Sequence, residues 1–206
     1  MSKISVDQIK QLRETTGVGM MDAKKALEET NGDMDQAMDV LRKSGAMKAA
    51  KKADRNTAEG FVASYIHGDG RIGVLLELNC ETDFVARTET FQALAHDLAL
   101  HVAATNPLYI SRDDVPEQVI AKEQEIYTEQ LHAEGKSADK IEMIMQGKLD
   151  KYFAESVLLE QPFVKDDAKT IEELVQAAVQ ALGENIQIAR FARFAISGHP
   201  NAVRVG

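Results

Sequence analysis

Residues 60–80 read GFVASYIHGDGRIGVLLELNC, and this stretch decides the fold class. Its first part has side chains that alternate between two faces, residues 67–70 supply a glycine-rich turn, and a mostly apolar run follows up to Cys80. Two such runs joined by a short turn are typical of a β-hairpin, and the apolar second run indicates a well-buried strand. We therefore predict an antiparallel sheet in the middle of the chain.

The first fifty residues show a helical period instead. Apolar residues recur three and four positions apart, and Ser5 with Gln8 has the spacing of a capping box at a helix start. Breaks at residues 16–19 and 31–32 divide the segment into three short helices. Because helices this short are not stable alone, we expect them to share a small core.

A lysine- and alanine-rich stretch, residues 43–55, follows the predicted helices with little apolar periodicity. We interpret it as a linker with some helical character and as a domain boundary. The sequence therefore predicts a helical module with its linker over residues 1–54 and a core over residues 55–206.

The second half of the chain predicts further helices and one long strand. Pro116 favours a helix start, residues 135–137 form a turn, and residues 141–153 carry an apolar stripe, which together indicate a helical hairpin at about residues 116–160. Residues 185–196 alternate as a strand with apolar side chains on both faces, and the alternation puts Arg190 and Phe194 on the same face as Ile186. The predicted fold class is α+β: a three-helix N-terminal module, then an antiparallel-sheet core with packed helices and an inserted helical hairpin.

Composition narrows the possible functions. The chain has 206 residues and a formal net charge of −9, which disfavours direct binding to nucleic acid because phosphate backbones repel acidic surfaces. Its single cysteine, Cys80, excludes an intramolecular disulfide and a four-cysteine zinc site. Because the sequence has neither a signal-like apolar region near its start nor an apolar run of about 18 residues, we expect a soluble, cytoplasmic protein without a membrane segment.

Motifs for catalysis, metals or cofactors are not found in the sequence. It has no phosphate-binding glycine loop, and its five histidines do not form an H-E-x-x-H pattern. We predict no catalytic residue, no metal site and no cofactor. A small enzyme that uses Cys80, His67 or His101 stays open as an alternative, because catalytic groups are assembled in space and leave no local pattern.

Two apolar spots lie beside turns, where side chains are often exposed. Phe84 follows the buried strand directly among polar residues, and Met20 and Met21 follow a glycine-containing loop. Neighbouring residues of a helix point about 100° apart, so the two methionines cannot both face a small core. Such side chains either anchor a partner protein or pack in the ordinary way, and the residues alone leave both interpretations open.

The same two spots lie in runs that resemble the signatures of a known family. Residues 9–27, IKQLRETTGVGMMDAKKAL, and residues 77–87, ELNCETDFVAR, are similar to the two signatures of elongation factor Ts. Residues 158–164 and 183–194 are similar to that family as well, and Thr88 departs from it where asparagine is common. The resemblance extends from about residue 4 to residue 197.

The resemblance implies a function and gives roles to individual residues. It implies a ubiquitin-associated-like fold for the helical module, and a guanine-nucleotide exchange factor without catalytic chemistry that releases GDP from elongation factor Tu. The residues that would act beside the nucleotide and dislodge Mg²⁺ are Thr82, Asp83, Phe84 and Val85. The residues that would anchor the helical module on the partner are Leu12, Met20 and Met21.

The resemblance also bears on assembly. Short members of the family act as homodimers, which implies a two-plus-two complex with elongation factor Tu, and the apolar face of residues 141–153 is one candidate for the dimer contact. The alternative is an interaction adaptor, in which the helices bind another protein and the core only dimerises. An adaptor would not need the loop at residues 82–85.

Overall fold

A computed structural model describes residues 4–16, 18, 20–196 and 203–205. The predicted α+β class, with helices at the N-terminus followed by an antiparallel sheet with packed helices, is confirmed. The helices are α1 Val6–Thr16, α2 Met20–Glu29, α3 Met34–Ala50, α4 Asp83–Ala86, α5 Glu89–Thr105, α6 Glu117–Ala133, α7 Ala138–Ser156 and α8 Ile171–Leu182. The strands are β1 Glu59–His67, β2 Ile72–Cys80, β3 Pro162–Phe163, β4 Asp166–Thr170, β5 Ile186–Ala195 and β6 Val203–Val205.

The three N-terminal helices share a core, as their short lengths required. The predicted capping box is present at the start of α1, where the Ser5 amide donates to Gln8 Oε1 at 3.0 Å and the Gln8 amide donates to Ser5 Oγ at 3.1 Å. The shared core is made of small and branched apolar side chains from all three helices and the turn before α2: Ile9, Leu12, Val18, Ala23, Ala26, Leu27, Ala37 and Leu41. The segment therefore closes on itself around one apolar cluster.

The third helix runs further than the sequence indicated. It continues to Ala50, so more than half of the stretch predicted as a linker is helical, and the chain turns over residues 51–55. Alanine and lysine are both good helix formers, which explains why the helix persists without a clear apolar stripe.

The main sheet has the strand order β1-β2-β5-β6, and β3 pairs with β4 in a separate short sheet. The predicted hairpin is formed by β1 and β2, while the pair β3–β4 was not predicted from the sequence. Along β5 the alternation shifts by one residue, because Ala189 and Arg190 are both exposed and Phe191 and Arg193 are then buried. The sequence alternation predicted Arg190 and Phe194 on the face of Ile186, and this assignment was wrong because a shift of one residue in the pattern exchanges the two faces of a strand.

Contacts within the chain divide it into two compact units. As far as the structure describes them, the first unit comprises residues up to Ser64, Leu75–Ala99 and Glu172–Ala189, and the second comprises Tyr65–Val74, Leu100–Ile171 and the residues from Arg190 on. The predicted boundary at residues 54 and 55 therefore lies inside the first unit, together with α1, α2, α3 and α8.

In the second unit, α6 and α7 form the predicted helical hairpin around the turn at Gly135, which has a φ of 72°. Part of the apolar stripe of α7 packs inside its own unit. Ile141, Leu149 and Phe153 are buried, and the last two pack in a cluster with Val115 and other residues of the same unit. These residues therefore pack within the chain, whereas Ile144 and Met145 are half-buried, and the suggested dimer contact stays a prediction.

Candidate functional site

The loop at residues 82–85 begins where the buried strand β2 ends. Thr82 is the N-cap of the single-turn helix α4: its backbone is extended, and its Oγ accepts a hydrogen bond from the Val85 amide at 3.4 Å. The chain then turns again at Thr88, whose Oγ accepts from the Phe91 amide at 3.3 Å at the start of α5. Two caps within seven residues hold the chain between strand and helix in one defined course.

Phe84 is presented to solvent by this turn. Its side chain is 80% exposed, whereas Ala86, two positions later, is buried. On one turn of helix these two residues point in different directions, so burying Ala86 directs Phe84 outward. An exposed phenylalanine on a firmly capped turn is the kind of rigid apolar group that protein partners use as an anchor.

Glu184 braces the loop from the chain segment before β5. Its Oε2 accepts hydrogen bonds from the amides of Glu81 at 3.1 Å and Thr82 at 3.0 Å, and its Oε1 accepts from Thr82 Oγ at 2.6 Å. These three bonds are charge-assisted and close a ring around the N-cap of α4. Sequence reasoning did not single out Glu184, although it lies in the family-like run at residues 183–194.

Glu81 forms a second contact between the same two segments. Its Oε1 accepts from the Asn185 amide at 2.7 Å and lies 3.4 Å from Nη1 of Arg55. The Asn185 hydrogen bond, together with the positive charge of Arg55, holds the pKa of Glu81 below its usual value. Its carboxylate is therefore ionised at neutral pH and available as an acceptor.

Asp83 does not offer a free carboxylate. Its Oδ2 lies 2.9 Å from Nη2 of Arg87, four residues further on. Such exposed pairs contribute little to stability, so this pair can open at small cost when a partner approaches.

The predicted anchors of the helical module lie in different environments. Met20 is 41% exposed and Met21 is 76% exposed, at the first turn of α2. Leu12 is fully buried in the core of the three helices. Direct contact with a partner is therefore available to the two methionines, while Leu12 packs the helices that carry them.

The residues of the enzyme alternative do not form a reactive group. Cys80 is buried, its Sγ donates to the Thr82 carbonyl at 3.2 Å, and burial raises the pKa of its thiol, so it is not an activated nucleophile. His67 is exposed and stacks on Tyr65. Within the described ranges, no group of three histidine, cysteine or acidic side chains is arranged to hold a metal ion.

His101 is buried in a polar network of the second unit. Val164 donates its amide to His101 Nδ1 at 3.3 Å, so Nε2 carries the proton and donates to Gln161 Oε1 at 3.0 Å. Burial lowers the pKa of His101 below its usual value, although the Gln161 hydrogen bond opposes the shift. Both ring nitrogens are satisfied only while the ring is neutral.

We therefore expect the stability of the chain to fall as the solution is acidified. In the unfolded chain this histidine binds a proton below about pH 6.5, whereas in the folded chain it stays neutral to lower pH. Its contribution to the free energy of unfolding is therefore fully present above that pH and decreases below it. Thermal unfolding of the wild type and of His101→Gln between about pH 7 and about pH 5 measures this. The variant should show the shallower pH dependence, and equal slopes for the two proteins would contradict the assignment.

Helices of the described residues are too short or too polar to cross a membrane. The fold and the site together define an α+β protein that presents an exposed aromatic side chain on a turn held by hydrogen bonds, and that exposes Met20 and Met21 on α2 within the same compact unit.

Comparison with known proteins identifies the family to which this chain belongs. The family model described as "Elongation factor TS" matches residues 7–198. Elongation factor Ts of Thermosipho melanesiensis is 54% identical over 193 residues, which cover 94% of this chain and 98% of the relative. Elongation factor Ts of Fervidobacterium nodosum is 53% identical over 194 residues, covering 94% and 98%, and that of Thermotoga maritima is 53% identical over 194 residues, covering 94% and 96%. The chain belongs to the elongation factor Ts family, and it is a translation elongation factor.

Proposed function

We propose that this chain is the guanine-nucleotide exchange factor of translation elongation. It binds elongation factor Tu in the GDP-bound state, displaces Mg²⁺ and promotes GDP release so that GTP can bind. Membership of the family supports this function, and the observation that carries it is the 80% exposure of Phe84 on a turn held by two caps and a carboxylate brace.

Exchange follows from a difference in affinity. If the chain binds the empty partner more tightly than the GDP-bound partner, GDP affinity falls by the same factor in the complex, because coupling between two ligands is reciprocal. Each tenfold loss of GDP affinity requires about 1.4 kcal/mol of differential contact. The chain therefore needs no catalytic chemistry of its own and no cofactor.

The loop at residues 82–85 supplies that difference. Phe84 inserts into the partner beside the nucleotide site as a rigid apolar wedge, and the bracing hydrogen bonds keep the loop from yielding. Asp83 exchanges its exposed pairing with Arg87 for the polar environment of the metal and phosphates. Moving the ligands of Mg²⁺ weakens the charge neutralisation that holds the diphosphate.

The helical module anchors the partner through Met20 and Met21. Methionine is flexible and polarisable, and exposed methionines adapt to apolar hollows on another protein. Leu12 contributes by packing the core that fixes their direction. The partner contact and the wedge then lie on one compact unit of the chain.

We also propose that two copies of the chain act together in the cytoplasm and form a two-plus-two complex with elongation factor Tu, with no direct contact to nucleic acid or membrane. Sedimentation of the purified chain at micromolar concentration tests the first part. A dimer is expected, and a monomer would count against the assembly.

The exchange function is tested by the release of labelled GDP from purified elongation factor Tu in a stopped-flow instrument. We expect release to accelerate with increasing concentration of the chain until it saturates. A rate that stays at the value of elongation factor Tu alone would reject the proposal.

A further inference from the structure

We propose that Glu184 and Asn185 form a positioning clamp, which fixes the loop at residues 82–85 against the chain segment at residues 53–55 that follows α3. The clamp makes the wedge and the helical module act on the partner as one rigid body. This inference rests on the proposed exchange function, and it assigns two positioning residues that contact neither nucleotide nor metal.

Glu184 forms the half of the clamp that holds the wedge. Thr82 Oγ donates to its carboxylate and also accepts from the Val85 amide, so the same hydroxyl connects the clamp to the first turn of α4. That turn carries Phe84. Without the carboxylate, the amides of Glu81 and Thr82 lose their acceptor in this partly buried position, and the turn is free to reorient.

Asn185 forms the half that holds the helical module. Its side chain is almost fully buried, and its Nδ2 donates to the carbonyls of Ala53 at 3.1 Å and Arg55 at 2.9 Å. The backbone amide of Asn185 donates to the carboxylate of Glu81, which lies next to Thr82 in the loop. A buried amide with both of its side-chain protons used has no freedom to turn, so the segment after α3 keeps a fixed position.

Other contacts of the first unit extend the same connection. Arg42 on α3 forms an ion pair with Glu173 on α8, and Lys52 Nζ donates to the Gly183 carbonyl. Gly183 directly precedes Glu184, so the end of α8 contacts both the helical module and the loop. The module and the wedge are therefore both tied to the short segment at residues 183–185.

A rigid connection matters for an exchange factor because its anchor and its wedge act at different places on the partner. Binding energy from the anchor can displace metal ligands only if Phe84 keeps its position when it meets the partner. A small displacement of such a group can lower the rate strongly. Loss of the Glu184 half should therefore lower the maximal rate of GDP release. Loss of the Asn185 hydrogen bonds should let the anchor and the wedge bind the partner independently. A higher concentration of the chain is then needed for the half-maximal rate of GDP release.

The test is a double-mutant cycle on labelled GDP release from elongation factor Tu, with wild type, Phe84→Ala, Glu184→Ala and the double variant. We expect Glu184→Ala to lower the maximal rate by about tenfold in the wild-type background and by less than about twofold in the Phe84→Ala background. A general loss of folded structure would lower the maximal rate by the same factor in the two backgrounds. Glu184→Gln keeps an oxygen acceptor for the two amides, and it should restore most of the rate.

Thr82→Val gives a second route if Glu184→Ala does not fold, because it removes only the hydroxyl link. Its loss of rate should also disappear in the Phe84→Ala background. Glu172→Gln on the exposed first turn of α8 is the control, and we expect wild-type rates from it. If Glu184→Ala or Thr82→Val lowers the maximal rate by the same factor in the wild-type and the Phe84→Ala backgrounds, the clamp is rejected. The exchange function is not affected by that result. If the wild type fails to accelerate release, the exchange function and the clamp both fall.

Discussion

Phe84→Ala should slow GDP release from elongation factor Tu more than any other single exposed change in this chain. A well-placed interface anchor contributes about 2 kcal/mol or more, which corresponds to a loss of about thirtyfold in rate at saturating concentration. Because the ring is 80% exposed, its removal leaves no cavity in the core. The free energy of unfolding should therefore change by less than about 0.5 kcal/mol.

Two further variants make this result specific. Phe84→Leu keeps an apolar group of smaller size and should retain an intermediate rate. Met143→Ala removes a side chain with 76% exposure from α7, outside the loop, and should release GDP at the wild-type rate. An unchanged rate for Phe84→Ala, measured by stopped flow on a folded variant, would reject the role of wedge.

Leu12→Ala and Met21→Ala should have opposite consequences, although both residues lie in the same family-like run. Leu12 is fully buried, so its truncation should destabilise the three-helix core by about 2–5 kcal/mol. Met21 is 76% exposed, so its truncation should leave unfolding almost unchanged and weaken binding to elongation factor Tu by about tenfold.

Denaturant unfolding and a titration of elongation factor Tu measure these two quantities on each variant. Ala23→Gly on the buried face of α2 is a useful reference for a core change, because it should reduce stability without removing an exposed contact. Weaker binding by a fully folded Leu12→Ala variant would show that Leu12 reaches the partner. Unchanged binding by Met21→Ala would remove it from the anchor.

Local patterns predicted much of this fold. The capping box at Ser5 and Gln8 and the turn at residues 67–70 depend on residues close in sequence, and the structure has them where the sequence indicates. The short strands β3 and β4 were missed, because two to five residues carry too little periodicity to distinguish a strand from a loop.

The features that could not be predicted from the sequence depend on contacts between distant residues. The apolar stripe at residues 141–153 shows that something covers α7, but only the fold shows that residues of the same unit do so. The brace of Glu184 on Thr82 joins residues that are 102 positions apart, and a glutamate near a helix end otherwise suggests a solvated side chain. The exposed Phe84 was singled out by its polar neighbours, whereas the groups that hold it in place were not.

Nucleotide exchange by this chain depends on a preference for one state of the partner. Titration calorimetry of the chain into elongation factor Tu, once stripped of nucleotide and once loaded with GDP and Mg²⁺, measures that preference directly. We expect clearly tighter binding to the empty form, and each tenfold difference in affinity corresponds to about 1.4 kcal/mol available to expel GDP. Equal affinities for the two forms would contradict this expectation.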